Sequence, residues 1–268
     1  MVGLSSFFHS TVRGIGKEIV CLLGNNGAGK TTIINCILRM IKADSGTILL
    51  NGRDIRKYTN AEYFSNVNAL LESSVNIYDY LTGGQNIDYF AGLMNMDKKD
   101  SQIDKYIQLF GLEEAIDKPA GEYSRGMQQK PALVIALMSS PQLLLLDEST
   151  LGLDIKSKLS VINALNEIIK TEKMSVILTT HQMDVVQKLN SRILILKDGV
   201  VSDFDKGQYE EKDLYSVSYV NHNLVEQAVV EGSFNEIYNQ YCKYEIVEIK
   251  KKERDIEEIM AEVLDETH

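Results

Sequence analysis

The chain has 268 residues, 44% of them hydrophobic, which is enough for one sizeable core with a smaller appended unit and excludes a disordered polymer. Asp and Glu number 38 against 28 Lys and Arg; the resulting net charge of −10 repels nucleic-acid backbones and anionic membrane surfaces, so no nucleic acid is expected as a main partner. Cys21, Cys36 and Cys242 are widely spaced in apolar or helical sequence, the pattern of reduced packing residues in the cytoplasm rather than of a disulfide or a metal cluster.

Met1 to Phe8 lacks the basic start and long apolar core of an export signal. No later stretch approaches the roughly 18 apolar residues of a membrane span, so the chain is expected to be soluble by itself. Glu18 to Leu23 reads as a short buried strand, and Lys30 to Met40 as a helix with Ile33, Ile34, Ile37, Leu38 and Ile41 at helical spacing. Between them lies Gly24-Asn25-Asn26-Gly27-Ala28-Gly29-Lys30-Thr31-Thr32, a glycine-rich loop of the form GxxxxGK[ST] in the strand, loop, helix context that the motif requires. Its glycines let successive N–H groups converge on phosphate oxygens at a helix N-terminus, where the dipole also favours negative charge. The loop therefore predicts a bound nucleoside triphosphate, with Lys30 neutralising the terminal phosphates and Thr31 holding Mg²⁺.

Thr47 to Leu50 with Asn51-Gly52 gives a strand and a turn, and Val67 to Leu71 gives an apolar strand ending at Glu72. From about Ile77 to Leu112 the pattern is helical, with Ile87, Phe90, Ala91 and Met94 along one face and Ile103, Ile107, Phe110 and Leu112 along a second. Within this insertion Thr82-Gly83-Gly84-Gln85-Asn86 reads as a helix start. After Ser139-Ser140-Pro141, Leu143 to Leu146 is a wholly apolar strand typical of a parallel sheet. It ends in Asp147-Glu148, 117 residues after Lys30. In a phosphate-loop fold such a strand end delivers carboxylates to metal and water, Asp147 facing Mg²⁺ and Glu148 polarising the nucleophile.

Helices from about Ser157 to Lys170 and from Met183 to Leu189 flank a strand at Val176 to Thr179, and Arg192 to Phe204 forms a hairpin turning at Asp198-Gly199. After Gly207 tyrosines and charges increase. There Tyr215 to Val220 and Tyr244 to Ile249 suggest strands, and Ile256, Ile259, Met260 and Val263 a final amphipathic helix. The expected fold is α/β: a P-loop NTPase with a mostly parallel sheet in residues 1–206, a helical insertion subdomain at about 73–140, and a small C-terminal α+β appendage at 207–268.

Taken in order, these motifs resemble the nucleotide-binding subunit of ATP-binding cassette transporters, over residues 13 to about 205. Tyr123-Ser124-Arg125-Gly126-Met127-Gln128-Gln129 stands 23 residues before Asp147, where that family keeps its signature loop. Leu151-Gly152-Leu153-Asp154 is similar to its D-loop, Thr180-His181 to its switch histidine, and Glu72 occupies its Q-loop position. The resemblance implies ATP and Mg²⁺ as cofactors and ATP hydrolysis with Glu148 as base. His181 and Glu72 would sense the γ-phosphate and the metal. Ser124 and Gly126 would complete the site of the opposite subunit in a head-to-tail homodimer or heterodimer, with an N-cap as the alternative role for Ser124.

Leu71 to Tyr78 and Asn86 to Leu93 are similar to the branch that pairs with separate ABC-2-type permeases, usually exporters. That implies an integral-membrane permease subunit as partner and a peripheral place on the inner face of the cell membrane. Tyr78, Tyr80, Tyr89 and Phe90 have two open readings, as the core of the insertion or as a groove for a permease helix. Three features depart from the family pattern. Only 23 residues precede Gly24, leaving Phe7 or Phe8 to stack on adenine or the phosphates to supply most of the affinity. Pro131 removes a backbone bond at a cost of about 3 kcal/mol and is expected to displace the signature loop unless the helix restarts there. Ser149 replaces a common proline. These departures keep open a second reading, a catalytically weak regulatory ATP-binding subunit of a heterodimeric complex.

Overall fold

The computed structural model describes residues 18–71, 77–96, 101–148, 155–180, 182–189, 191–204, 214–222 and 224–252. Phe7, Phe8, Glu72, Ser149, Leu151 to Asp154, His181, Gly207 and the helix expected at Ile256 to Val263 lie outside them. The chain divides into two compact units, Met1–Phe204 and Asp205–His268.

The first unit is built on a six-stranded sheet. In chain order its strands are β1 (Ile19–Leu23), β4 (Val67–Leu70), β5 (Leu143–Asp147), β6 (Ser175–Thr179), β7 (Ser191–Lys197) and β8 (Val200–Asp203), with the hairpin β2 (Leu49–Leu50) and β3 (Arg53–Asp54) as a separate small sheet. The order across the large sheet is β4-β5-β6-β1-β7-β8. All pairings are parallel except the β7–β8 hairpin. Every residue of β1, β5 and β6 is buried, which explains why these strands are continuous apolar runs: a parallel sheet is covered on both faces. Both two-residue turns, Asn51-Gly52 and Asp198-Gly199, have positive φ at both positions, the geometry that matches strand twist in tight hairpins.

On one face α1 (Lys30–Ile37) packs Ile33, Ile34, Cys36 and Ile37 against Val20, Leu22, Leu145 and Ile177. The helix expected to reach Met40 stops early. Arg39 turns left-handed at φ 60°, and the amides of Met40 and Ile41 both fold back onto the Asn35 carbonyl at 2.9 and 3.2 Å. Ile41 is therefore exposed despite its helical spacing. Short α2 (Asn60–Phe64) begins with a Thr59–Glu62 capping box and delivers Tyr63, whose hydroxyl donates to the Ile37 carbonyl at 2.6 Å.

The insertion contains α3 (Gly83–Leu93), α4 (Ser101–Leu109) and α5 (Arg125–Met138), followed by α6 (Ile155–Thr171) and α7 (Met183–Lys188) of the βα series. Thr82 caps α3 with Gln85 in a capping box, as its sequence predicts. Asn86, fully buried, holds the preceding turn: its Oδ1 accepts from Tyr78 N at 2.6 Å, and its Nδ2 donates to the carbonyls of Tyr78 and Thr82 at 3.0 and 2.9 Å. Tyr106 of α4, absent from the apolar faces read in the sequence, is also fully buried; its hydroxyl donates to Glu172 at 2.7 Å, just past α6.

The second unit is a three-stranded antiparallel sheet, order β10-β9-β11, from β9 (Leu214–Asn221), β10 (Leu224–Glu231) and β11 (Glu245–Lys252). Helix α8 (Phe234–Tyr241) lays Ile237 on Tyr215 and Val217, with Tyr219, Val230, Tyr241 and Ile249 around them. Neither β10 nor α8 was read from the sequence. Among the described residues β10 is an edge strand, and its Leu224, Val225 and Val229 are exposed. No helix of the described residues is long and apolar enough to cross a membrane.

Candidate functional site

The glycine loop joins the end of β1 to the start of α1, and its backbone is shaped by specific constraints. A Cβ on Gly24 would stand 2.6 Å from the Leu196 carbonyl oxygen of β7, so no side chain fits there. Gly27 (φ 81°) and Gly29 (φ 109°) take left-handed conformations that turn the loop back over the helix start. The first amides of α1 have no carbonyl one turn behind them, which makes this end a ready acceptor site for an anion. Asn25, Asn26, Gly27, Thr31 and Thr32 are exposed along the loop, and Ala28 is half-buried.

Lys30 is buried, and its Nζ donates to the carbonyls of Gly24 at 2.8 Å and Asn25 at 3.2 Å. Its Nζ also lies 3.9 Å from Glu148 Oε1. Asp147 ends β5, 2% exposed, and its Oδ1 accepts from the Thr179 hydroxyl at 2.5 Å. Glu148 follows at φ 50°, and its amide donates to both the Thr179 carbonyl and the Thr179 hydroxyl at 3.1 Å. The fold thus joins Gly24, Asn25, Lys30, Asp147 and Glu148 in one cluster, with Thr31 on the turn after Lys30. Thr179 belongs to it and was not singled out from the sequence. A hydroxyl ending an apolar strand beside the acidic strand was the available signal.

The residues present fit a magnesium-bound triphosphate. No group of three or more His, Cys, Asp or Glu converges among the described residues. Mg²⁺ does not need one: it is usually held by one or two carboxylates together with phosphate oxygens and water, and Asp147 with the Thr31 hydroxyl suits that habit.

Ser124 is engaged elsewhere, capping α5 with its Oγ, which accepts from Met127 N at 3.3 Å; Gly126 is buried in the first turn of that helix. The helix does not restart at Pro131. Helix α5 runs without a break from Arg125 to Met138 with the proline buried inside it, and the Asn68 side chain donates to the Ala136 carbonyl near its far end at 3.0 Å. The core reading of the insertion aromatics fails for the three tyrosines, while Phe90 is half-buried. Tyr78, Tyr80 and Tyr89 are exposed, with ring centroids of Tyr78 at 5.7 Å from Tyr80 and 5.2 Å from Tyr89, and Phe90 at 5.3 Å from Tyr89.

Comparison with known proteins agrees with this geometry. A family profile described as ABC transporter matches residues 15–151. The chain is 31% identical over 186 residues to the ABC transporter ATP-binding protein NatA of Bacillus subtilis, covering 69% of this chain and 75% of NatA. It is 35% identical over 217 residues to the SkfA peptide export ATP-binding protein SkfE of the same organism, covering 78% and 86%. Among solved structures, cbiO1 from Clostridium perfringens, part of the ABC transporter complex cbiONQ, superposes with a TM-score of 0.66 at 24% identity, over 78% of this chain and 90% of cbiO1. The ATP-binding cassette MJ0796, a dimer in a post-hydrolysis state bound to ADP and Pi, gives 0.59 at 22%, over 70% and 85%. At those identities the structures speak for the fold alone, which is that of the P-loop NTPases. With a phosphate loop, a buried lysine and two acids gathered at the strand ends, the chain belongs to the ABC transporter family, as an ATP-binding subunit that hydrolyses ATP with Mg²⁺.

Proposed function

We propose that this chain powers an exporter of the ABC-2-type branch from the cytoplasmic face of the membrane. Its unit Met1–Phe204 carries the ATPase and its unit Asp205–His268 is an accessory domain. The observation that carries the reading is the buried cluster of Lys30, Asp147, Thr179 and Glu148 at the phosphate loop. In it the loop amides from Gly24 to Thr32 and the Lys30 ammonium bind phosphates, Thr31 and Asp147 hold the metal, and Glu148 takes the proton of the attacking water. Bound magnesium supplies charge neutralisation at the phosphate oxygens. Ser124 and Gly126, at the start of α5, serve the site of the opposite subunit through the same helix-start effect. Glu72 and His181 are assigned to metal and γ-phosphate sensing by resemblance.

Export as the direction is supported by the similarity to SkfE, whose name records peptide export. The exposed rings of Tyr78, Tyr80 and Tyr89 offer a surface for the permease. The test is ATP turnover by the purified chain at high concentration, alone and with Glu148→Gln. Magnesium-dependent turnover that falls at least about 100-fold in the variant, with ATP still bound and a dimer accumulating, supports the reading. Absent turnover in a folded wild-type chain that binds ATP favours instead a regulatory subunit that borrows its partner's competent site.

A further inference from the structure

We propose that Thr179 is a positioning residue for ATP hydrolysis, a single hydroxyl that sets both acids of the site; the proposal rests on the roles given above to Asp147 and Glu148. The sheet register brings it there. Asp147 and Thr179 are direct partners across the parallel β5–β6 ladder, so their separation is fixed by backbone hydrogen bonds and not by a loop. Thr179 is fully buried at the end of a strand whose preceding residues, Val176, Ile177 and Leu178, are apolar. A hydroxyl in such a place is costly unless its hydrogen-bonding capacity is used.

Here it is used in both directions. The hydroxyl donates to Asp147 Oδ1 at 2.5 Å and accepts the Glu148 amide at 3.1 Å, while the Thr179 carbonyl accepts that same amide at 3.1 Å. One consequence falls on the metal ligand: with Oδ1 held, the Asp147 carboxylate has a fixed rotation. The other falls on the base. Glu148 stands at φ 50°, a conformation that residues with a Cβ adopt uncommonly, and its doubly bonded amide keeps it there, with Oε1 3.9 Å from Lys30. Valine matches threonine in shape and lacks only this hydroxyl, so an ordinary core role and the positioning role part company at one atom.

The experiment compares T179V, T179S and D147N in the full chain, measuring turnover against magnesium concentration and, separately, binding of a fluorescent ATP analogue in EDTA. Removing the partner of a metal-binding carboxylate typically costs 10–100-fold in metal affinity or activity, so T179V is expected to need about tenfold more magnesium for half-maximal rate and to lose maximal rate. Magnesium-free nucleotide binding, which rests on the loop amides and Lys30, stays as in wild type, and T179S restores the magnesium dependence. A T179V enzyme with normal magnesium dependence beside a defective D147N overturns the proposal alone. So does a T179S enzyme as impaired as T179V, or a parallel loss of magnesium-free binding, since either marks a purely structural residue. A D147N enzyme with normal magnesium dependence overturns the assignment of the acids, and the proposal with it.

Discussion

Lys30 Nζ and Glu148 Oε1 lie 3.9 Å apart with side-chain exposures of 7% and 10%, so the cation of the phosphate loop and the candidate base share one desolvated pocket. Removing one member of a buried charge pair leaves the other without compensation, which costs more than removing both. Lys30→Ala is therefore expected to abolish ATP turnover and also to lower folding stability by at least about 1–3 kcal/mol, the range for a buried polar group that loses a partner. Adding Glu148→Gln should return part of that stability without returning activity. Urea unfolding of the two single variants and the double variant measures the coupling, and strict additivity would remove the pair from the account.

Gly24 and Gly27 make contrasting predictions within one loop. An alanine at Gly24 meets the Leu196 carbonyl, a backbone atom of a central strand that cannot swing aside, so overpacking should cost about 1–3 kcal/mol and distort the loop. At Gly27 nothing lies within 4 Å of an added Cβ, and the cost is the left-handed backbone alone, about 1 kcal/mol. Thermal melts rank the two variants, and nucleotide titration should show the larger loss for Gly24→Ala.

Alkaline pH should unfold the first unit through two buried acids. Burial pushes the Tyr63 phenol from 10.0 up to about 12 and the Cys21 thiol from 9.0 up to about 11. In each case the unfolded chain ionises first. The stabilisation is therefore complete below the unfolded value and is lost as pH rises to the folded one, from pH 9 to 11 for Cys21 and from 10 to 12 for Tyr63. Shifts of this size correspond to roughly 2–3 kcal/mol for each group. Denaturation midpoints at pH 8, 10 and 11.5 should fall in that order, and Cys21→Ala should flatten the earlier part of the decline.

Pro131→Ala tests what the proline does inside α5. Restoring the interior amide is worth up to about 3 kcal/mol. Trimming two buried methylenes costs about 1.6 kcal/mol at the usual rate per methylene. The amide gain is the larger, and a net stabilisation near 1 kcal/mol is expected in urea unfolding. A destabilised variant would show that the proline ring is needed as packing.

The phosphate loop, the acidic strand end and the buried strands were legible in the sequence because each rests on a local pattern: a motif with fixed spacing, or an unbroken apolar run. Thr179 was not, because its role comes from a register between strands 32 residues apart, which no local pattern encodes. Ile41 kept helical spacing yet lies outside the helix, since the stop at Arg39 is a backbone event secured by Asn35 and by the Tyr63 ring 5.1 Å from the guanidinium. Pro131 was read by its local cost, and α5 carries that cost without a break because the rest of the helix is held by its buried face. In the second unit, the alternation of β10 was obscured by its exposure on both faces, where apolar and polar residues mix without a period.

The edge position of β10 bears on how this protein is handled. Among the described residues, Leu224 to Glu231 presents a row of main-chain donors and acceptors with no proline or lysine to discourage a visiting strand, and three large aliphatic residues face water. Exposed edges of this kind nucleate intermolecular sheet. Concentrated stocks should accordingly thicken into strand-linked aggregates on storage, and a single lysine in place of Val229 is the smallest change that should keep them clear.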